Sequence, residues 1–271
     1  MNDPQAPFPL GETDVRAMVR LLGEVCALRG GYAEKKRRLM DGLCRLIDAD
    51  AWAWTLACQY EAGKPPVYVG FMNGGFAEEQ FPKYLAAVEH PASAEATIPF
   101  INEVREHQRQ LTRTIEQISG GRYAHFGREN FERFPAAPLW HEAGIGTLMI
   151  SMHPLDARSA SGIGLYRSTD REPFNARESR LAHIVLSEVP WLHAQGWPED
   201  HGAEVPKLAP RARLVLELLL QSHSRKQIAA HLGISENTVA GYVKAIYRQF
   251  NVRSHTELLR HFYQGDGGDR G

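Results

Sequence analysis

The polar side chains best placed to contact another molecule lie between Ser224 and Asn251. Apolar residues in this stretch recur three or four positions apart, as they do on one face of a helix. The positions between them carry hydrogen-bond donors and cations, which can contact base edges and phosphates. The residues predicted to form this polar surface are Arg225, Lys226, Ser235, Asn237, Thr238, Ala240, Gly241, Lys244 and Arg248.

Two helices joined by a tight turn must position these side chains. Gly233 follows the first apolar stripe, and glycine adopts the left-handed conformation that ends a helix at little cost. Ser235 is the candidate N-cap of the second helix, because its hydroxyl can accept a hydrogen bond from a backbone N–H. Val239, Val243 and Ile246 mark the buried face of that helix. This arrangement predicts a helix-turn-helix, whose second helix enters the major groove of DNA.

From Leu208 to Tyr263 the sequence resembles the DNA-binding domain of LuxR/FixJ-type transcriptional regulators. The spacing of the family pattern holds without a gap over about 45 residues. The resemblance implies a four-helix domain that binds double-stranded DNA as a homodimer through its last helix, with RNA polymerase as a further partner. The matching residues are Leu208, Arg211, Val215, Leu216, Ser224, Gln227, Ile228, Ala229, Leu232, Ile234, Ser235, Thr238, Val239, Tyr242, Ile246, Phe250 and Val252.

Three positions depart from the family pattern. Ala212 stands where the family usually has an acidic residue, and Ala240 stands where it often has a lysine. The next exposed position of the second helix is Gly241, which removes a long donor but lets the helix approach the base edges closely. The resemblance therefore implies DNA binding without implying a particular target sequence.

Composition and charge favour a DNA-binding module attached to a different domain. The chain has 271 residues, of which 43% are hydrophobic and 23% charged, as in an ordinary globular protein of more than one domain. From Lys207 onward there are 10 Lys and Arg against 5 Asp and Glu, a net charge of +5, whereas the whole chain carries −1. A basic segment on an acidic body is typical of such a module.

Other function classes find no support in the sequence. The three cysteines, Cys26, Cys44 and Cys58, lack paired or metal-binding spacing, which favours reduced thiols in the cytoplasm. There is no nucleophile elbow, P-loop or dinucleotide fingerprint. No secretory signal or apolar run of membrane-spanning length is present. We therefore expect a cytoplasmic protein without a catalytic site, a cofactor, a metal or a membrane partner.

The first part of the chain is predicted to begin with two helices and a hairpin. The first helix, Thr13 to Leu28, would bury Val15, Met18, Val19, Leu22, Val25 and Cys26. The second, Ala33 to Ile47, would expose the charged run Glu34–Arg38. Residues 51–60 alternate like a strand with a return strand at 67–72. The stretch from Ser93 to Ser119 is expected to be mostly helical.

Residues 138–192 contain a short helix, two strands (146–153 and 162–167) and an amphipathic helix that follows Pro173-Phe174. This order resembles the C-terminal half of a GAF domain, and the likeness extends over residues 12–195. PAS-like and autoinducer-binding α/β/α domains remain close alternatives. His90-Pro91 stands where the autoinducer-binding members carry Asp-Pro, which argues against a homoserine-lactone ligand.

The predicted fold class is therefore α+β: a GAF/PAS-like antiparallel sheet with flanking helices, followed by an all-α four-helix helix-turn-helix domain. The expected divisions are a sensory domain at 1–195, a linker at 196–206, a DNA-binding domain at 207–264 and a disordered tail at 265–271. Leu259 and Tyr263 of the last helix are expected to face a second copy. The aromatic residues that could line a ligand pocket, or instead fill the core, are Trp52, Trp54, Tyr68, Phe71, Phe81 and Tyr84.

Two functional hypotheses follow. In the first, a homodimeric, sequence-specific transcriptional regulator is controlled by an unknown small molecule bound to its GAF-like domain. In the second, the same DNA-binding domain is joined to a protein-interaction or dimerisation module that binds no small ligand. A third possibility, an enzyme with an appended helix-turn-helix, has no catalytic constellation to support it.

Overall fold

The computed structural model describes residues 9–58, 67–156, 159–189, 191–194, 210–220 and 222–263. Its helices up to residue 194 are α1 (Glu12–Ala27), α2 (Tyr32–Ile47), α3 (Gln80–Glu89), α4 (Pro91–His107), α5 (Ile115–Ile118), α6 (Ala137–Glu142), α7 (Ala176–Ser187) and α8 (Trp191–Ala194). The strands are β1 (Ala51–Cys58), β2 (Val67–Gly74), β3 (Leu111–Thr114), β4 (Ile145–Asp156) and β5 (Ser159–Ser168). Four further helices are α9 (Pro210–Leu220), α10 (Arg225–Leu232), α11 (Glu236–Gln249) and α12 (His255–Tyr263).

The five strands form one antiparallel sheet in the order β2-β1-β5-β4-β3. Successive side chains on a strand point to opposite faces, so each strand contributes to two cores. Trp52 and Trp54 of β1 join the core under α1, α2 and α7. Ala53, between them, joins a second core with α3 and α6. The sheet is therefore covered on both faces, and the predicted α+β class is confirmed.

The predicted buried face of α1 is partly wrong. Val15 and Val19 are exposed, whereas Asp14 and Leu21 are buried. Asp14 tolerates burial because its carboxylate accepts hydrogen bonds from the guanidinium of Arg177 on α7 and from a backbone N–H. Among the described elements, the helix packs mainly on α2 and α7. Val15 and Val19 lie on the side of α1 that these two helices do not cover.

The charged run Glu34–Arg38 was expected to face solvent, but Lys36 is fully buried. The α-helical period places Lys36 on the same face as Met40 and Leu43, which point toward the sheet. The ammonium group lies 3.7 Å from the centroid of the Trp54 ring. This cation–π contact stabilises a charge that would otherwise be costly to bury.

The stretch from Ser93 to Ser119 is less helical than predicted. Helix α4 ends at Gln108, which adopts a left-handed conformation with φ of 48°. The chain then forms β3, an edge strand paired with β4. Four residues are too few to show the alternation of apolar and polar side chains by which a strand is predicted.

The four C-terminal helices have the predicted local structure. Ser224 caps α10 in a capping box, with its side chain accepting a hydrogen bond from the Gln227 N–H. Gly233 ends α10 with φ of 58°, in the left-handed region. Ser235 caps α11 by accepting a hydrogen bond from the Thr238 N–H at 3.1 Å. The turn of the helix-turn-helix is therefore set by residues whose roles follow from their types.

The predicted linker at 196–206 and tail at 265–271 lie outside the described residues. None of the helices that the structure describes is long and apolar enough to cross a membrane.

Arg167, on the central strand β5, ties three elements together. Its guanidinium donates hydrogen bonds to the carbonyls of Ile47 and Asp48 at the end of α2. It also donates to the carbonyls of Glu172 and Pro173 in the segment before α7. An ion pair of 2.7 Å joins it to Glu178 in the first turn of α7. Both charged side chains are almost fully buried, so each depends on the other.

Replacing Arg167 by methionine should lower the free energy of unfolding by about 3–5 kcal/mol, because Glu178 would remain buried without its cation. Arg171→Met is the matched control. Arg171 pairs with Asp48 and Asp50 at a more exposed site, so its loss should cost about 1 kcal/mol or less. Urea unfolding followed by circular dichroism measures both values. Equal losses would contradict the role assigned to Arg167.

Candidate DNA-binding surface and ligand cavity

One side of α11 is anchored in the core of the C-terminal helices. Val239, Val243 and Ile246 are at most 2% exposed, and the helix packs against α9 and α10. These residues recur every three or four positions, so they occupy a single face. The opposite face of α11 must therefore point away from the core.

That opposite face carries the residues predicted to contact DNA. Asn237, Gly241 and Lys244 are exposed and follow one another at helical spacing. Nothing lies within 4 Å of the position that a Cβ atom would take at Gly241, so the surface is open there. The other predicted residues of α11 and its cap are Ser235, Thr238 and Arg248, which are exposed, and Ala240, which is half-buried.

Arg225 and Lys226 are also exposed, in the first turn of α10. Helix N-termini present backbone N–H groups and a partial positive charge, which favour anions. The structure thus places all nine predicted residues on the surface of α10, α11 and their caps. The surface combines cations, amide and hydroxyl donors and a short open stretch.

A cavity lies in the N-terminal part, between the sheet and helices α3, α4 and α6. The space between protein atoms there amounts to about 700 Å³, a figure that includes open solvent and is not an enclosed volume. Its lining residues are Ala53, Thr55, Tyr84, Val88, Ser93, Ala96, Thr97, Ile115, Phe126, Phe134, Trp140, Leu148, Ile150, Met152, Gly162, Ile163, Gly164 and Tyr166. None of these lining residues carries a charge.

The polar groups of the cavity wall are tied into hydrogen bonds. The hydroxyls of Tyr84 and Tyr166 lie 3.0 Å apart. Trp140 Nε1 donates to Ser93 Oγ at 3.0 Å, and that hydroxyl donates to the Ala87 carbonyl. Apolar walls with a few oriented polar groups are typical of small-molecule sites. Such a wall suits an uncharged, largely apolar ligand, because a charged one would enter without a partner.

The structure divides the aromatic residues that were considered for a pocket. Tyr84 lines the cavity, and Phe81 stacks on Tyr84 with ring centroids 5.5 Å apart. Trp52 and Trp54 project through the opposite face of the sheet and belong to the other core. Their indole N–H groups donate to Asp41 and Ser161 there. The side chains of Tyr68 and Phe71 lie outside those described.

The cavity floor was missed in the sequence. Gly162 and Gly164 of β5 face the helices and leave room that larger residues would fill. A Cβ atom at Gly162 would lie 3.6 Å from Thr55 Cγ2, an ordinary contact. At Gly164 it would lie 1.9 Å from the hydroxyl oxygen of Tyr166. The alternation of glycine with Ile163 and Leu165 was the available signal.

The predicted dimer residues are only partly described. Leu259 is half-buried and packs against the apolar cluster that contains Leu258. The side chain of Tyr263 lies outside those described. Pairing through α12 therefore stays a prediction.

Comparison with known proteins identifies the C-terminal segment. Residues 206–262 match the GerE family model, described as bacterial regulatory proteins, luxR family. This segment is a luxR-family DNA-binding domain. The resemblance drawn from the helix-turn-helix residues is thereby confirmed. No curated protein matches the chain.

Several solved structures match the chain. SdiA in complex with octanoyl-rac-glycerol is 16% identical, covers 94% of this chain and 96% of its own, and has a TM-score of 0.44. The VqsR ligand-binding domain of Pseudomonas aeruginosa is 18% identical over 67% of this chain and 94% of its own, with a TM-score of 0.41. CepR2 of Burkholderia cenocepacia, titled an N-acylhomoserine lactone dependent LuxR family transcription factor, is 10% identical over 67% and 93%, with a TM-score of 0.40.

The two glycines of the cavity floor should respond differently to alanine. Gly162→Ala should change the free energy of unfolding by less than about 1 kcal/mol, because the added methyl group would make only ordinary van der Waals contacts with Thr55 and Met152. Gly164→Ala should lower it by about 1–3 kcal/mol, because Tyr166 would have to move away from Tyr84. Chemical denaturation of both variants tests this difference. A larger loss for Gly162→Ala would mean that the floor is packed otherwise.

Proposed function

We propose that the protein is a cytoplasmic, homodimeric regulator of transcription that binds a specific DNA sequence and is controlled by a small molecule in the cavity. The exposed polar face of α11 carries the DNA-binding part of this proposal. This face belongs to a helix-turn-helix whose second helix is capped, in the segment that matches the luxR family model. RNA polymerase is the partner through which such a regulator would act.

In this proposal α11 contacts base edges in the major groove. Asn237, Gly241 and Lys244 share the face opposite the buried valines, so they would enter the groove together. An asparagine amide matches the edge of adenine, and a lysine matches that of guanine. The missing side chain at Gly241 and the small one at Ala240 would let the helix axis come closer to the bases.

Arg225 and Lys226 would hold the DNA backbone. They lie at the start of α10, and Ser235 and Thr238 lie at the start of α11, where N–H groups and cations attract phosphates. Contacts to phosphates position the protein and make its affinity depend on salt, but they carry no sequence information. The two groups of residues therefore predict two distinguishable mutant behaviours.

Lys244→Ala should weaken binding to the preferred sequence by about 1–3 kcal/mol if it contacts a guanine, while affinity for unrelated DNA changes little. Arg225→Ala combined with Lys226→Ala should weaken binding to all sequences and flatten the dependence of log affinity on log salt. Arg45→Ala, an exposed cation on α2, is the control. Fluorescence anisotropy with both duplexes over a salt series measures these effects. Unchanged affinity and slope in both variants would remove this surface from the interface.

The cavity supports the sensory part of the proposal. Its position between the sheet and α3, α4 and α6 gives a ligand access to several elements at once. Its uncharged lining favours an apolar or weakly polar molecule over an anion such as a nucleotide. We infer that the N-terminal part is a sensory domain of the GAF-like or autoinducer-binding kind. The alternative is a protein-interaction module whose cavity holds no ligand.

Native mass spectrometry of the full chain separates these two readings of the cavity. We expect the protein to retain a small uncharged molecule from the expressing cells or from an added library of apolar metabolites. Gly162→Leu should abolish retention, because the leucine would fill the floor of the cavity. Gly162→Ala is the matched control and should keep it. A wild-type protein that retains nothing from either source would favour the module without a ligand.

We further propose that α12 pairs two DNA-binding domains, with Leu259 and Tyr263 at the contact. One helix-turn-helix contacts only a few base pairs, so two copies about one helical turn apart give a useful site. The half-buried state of Leu259 leaves part of its side chain available for this contact.

A further inference from the structure

His193 holds the short helix α8 against the face of the sheet opposite the cavity. Its side chain is 1% exposed, and both ring nitrogens have hydrogen-bond partners. Nε2 lies 3.1 Å from the Leu186 carbonyl in the last turn of α7, and Nδ1 lies 2.8 Å from Ser161 Oγ on β5. The ring also stacks on that of His153 on β4, with centroids 4.4 Å apart and planes inclined by 8°. One residue therefore fixes α8 to both α7 and the sheet.

The hydrogen positions around His193 follow from its partners. A carbonyl can only accept, so Nε2 carries the hydrogen and Nδ1 accepts one from the Ser161 hydroxyl. Ser161 Oγ in turn accepts the indole N–H of Trp54 at 2.8 Å. Burial lowers the pKa of His193 to about 3, and His153 and Lys36 act in the same direction, so the ring is neutral at physiological pH. Each of these three donors has an acceptor, and such a network fixes its members in one arrangement.

The support of His193, formed by Trp54, Ser161 and His153, is the reverse side of the strands that line the cavity. Successive side chains of a strand point to opposite faces. Three neighbouring strands therefore each contribute two consecutive residues, of which one lines the cavity and the other belongs to the support. These pairs are Thr55 and Trp54 on β1, Gly162 and Ser161 on β5, and Met152 and His153 on β4. The three cavity residues are direct cross-strand neighbours, so the pairs lie side by side.

The packing differs on the two sides of these strands. One side adjoins the cavity. On the other side, Trp54, Ser161 and His193 are at most 1% exposed. Close-packed interiors have low compressibility and pass displacements on to their neighbours. A molecule that fills the cavity and shifts these strands must therefore move His193 with its support or break its hydrogen bonds.

We propose that the hydrogen bond between His193 and Ser161 couples occupancy of the cavity to the chain segment that leads to the DNA-binding domain. Helix α8 ends at Ala194, one residue after His193, and the next described helix is α9, which begins at Pro210. His193 is not among the residues that line the cavity or those predicted to contact DNA. It is a positioning residue that acts between the two sites. The inference rests on the proposed function, because it requires a ligand in the cavity.

The coupling can be measured in the full chain with an uncharged apolar dye, N-phenyl-1-naphthylamine, as the cavity probe. Dye fluorescence gives its affinity, and anisotropy of a duplex selected from a random library by the wild type gives the affinity for DNA. Gly162→Leu fills the cavity floor and should abolish dye binding, which locates the dye in the cavity. In the wild type, saturating dye should change the DNA dissociation constant at least about fivefold.

Two variants remove the coupling without touching either site. His193→Phe keeps a ring but loses both hydrogen bonds, and Ser161→Ala loses the hydroxyl. Each should bind dye alone and duplex alone as tightly as the wild type, while the effect of dye on DNA affinity falls below about twofold. The double variant should lose no more than either single one, because both residues belong to one link.

His183→Phe is the matched control. The Nδ1 atom of His183 on α7 lies 3.1 Å from Thr112 Oγ1 on the edge strand β3, so this substitution also removes a contact between a histidine and a hydroxyl of the sheet. Thr112 does not line the cavity. The response of DNA affinity to dye should therefore persist in this variant.

Hydrogen exchange of the wild type, followed by mass spectrometry, needs no substitution. Bound dye should change the exchange of the amides in α8 and in the last turn of α7. A dye that does not bind would overturn the cavity as a ligand site and this inference with it. A dye that binds but leaves DNA affinity or α8 exchange unchanged, or acts equally on the wild type and on both variants, would overturn the coupling through His193 alone.

Discussion

The buried guanidinium of Arg167 is the interaction on which the N-terminal part depends. It sits on the central strand and holds the end of α2, the segment before α7 and the first turn of α7 in one hydrogen-bonded group. A cation in that position must keep all its partners, because each loss leaves a buried polar group without one. The two helices are thereby fixed on one face of the sheet. Phe174 completes the arrangement by packing against the same guanidinium.

The two faces of the sheet are packed differently. The face under α2 and α7 carries Trp52, Trp54 and Met149, which are at most 1% exposed. The other face carries Ala53, Gly162 and Gly164, which are too small to reach the helices above them. Large side chains on one face provide stability, and small ones on the other leave the cavity. The same three central strands supply both, because side chains alternate along each strand.

The helix-turn-helix was predictable from the sequence because its determinants are local. Ser224, Gly233 and Ser235 act on N–H groups or backbone angles within three residues, and the buried stripe of α11 repeats along one helix. The order of helices and strands in the N-terminal part followed from the same periodicities. The strand β3 was not predicted, because four residues are too few to show an alternating pattern.

The cavity could not be predicted in this way because it depends on strand pairing. Gly162 lies opposite Thr55 and Gly164 opposite Ala53 only through the register of β1 with β5, more than 100 positions apart in the chain. Trp52 and Trp54 were considered for a pocket because they are aromatic. Side chains alternate along β1, however, and both point to the face opposite the cavity. The burial of Lys36 has a similar cause, since its helix face is set by a partner element and not by its own charge.

The separation of the tryptophans has a spectroscopic consequence. Trp140 stacks on Phe126 and Tyr166 in the wall of the cavity, and its indole N–H is bonded to Ser93. Trp52 and Trp54 are sealed on the far side of the sheet, at most 1% exposed. Emission from Trp140 is therefore expected to respond to what occupies the cavity, whereas emission from Trp52 and Trp54 responds to the integrity of the core. A variant without Trp191 and Trp197 would thus separate an optical signal from the cavity wall and one from the opposite core.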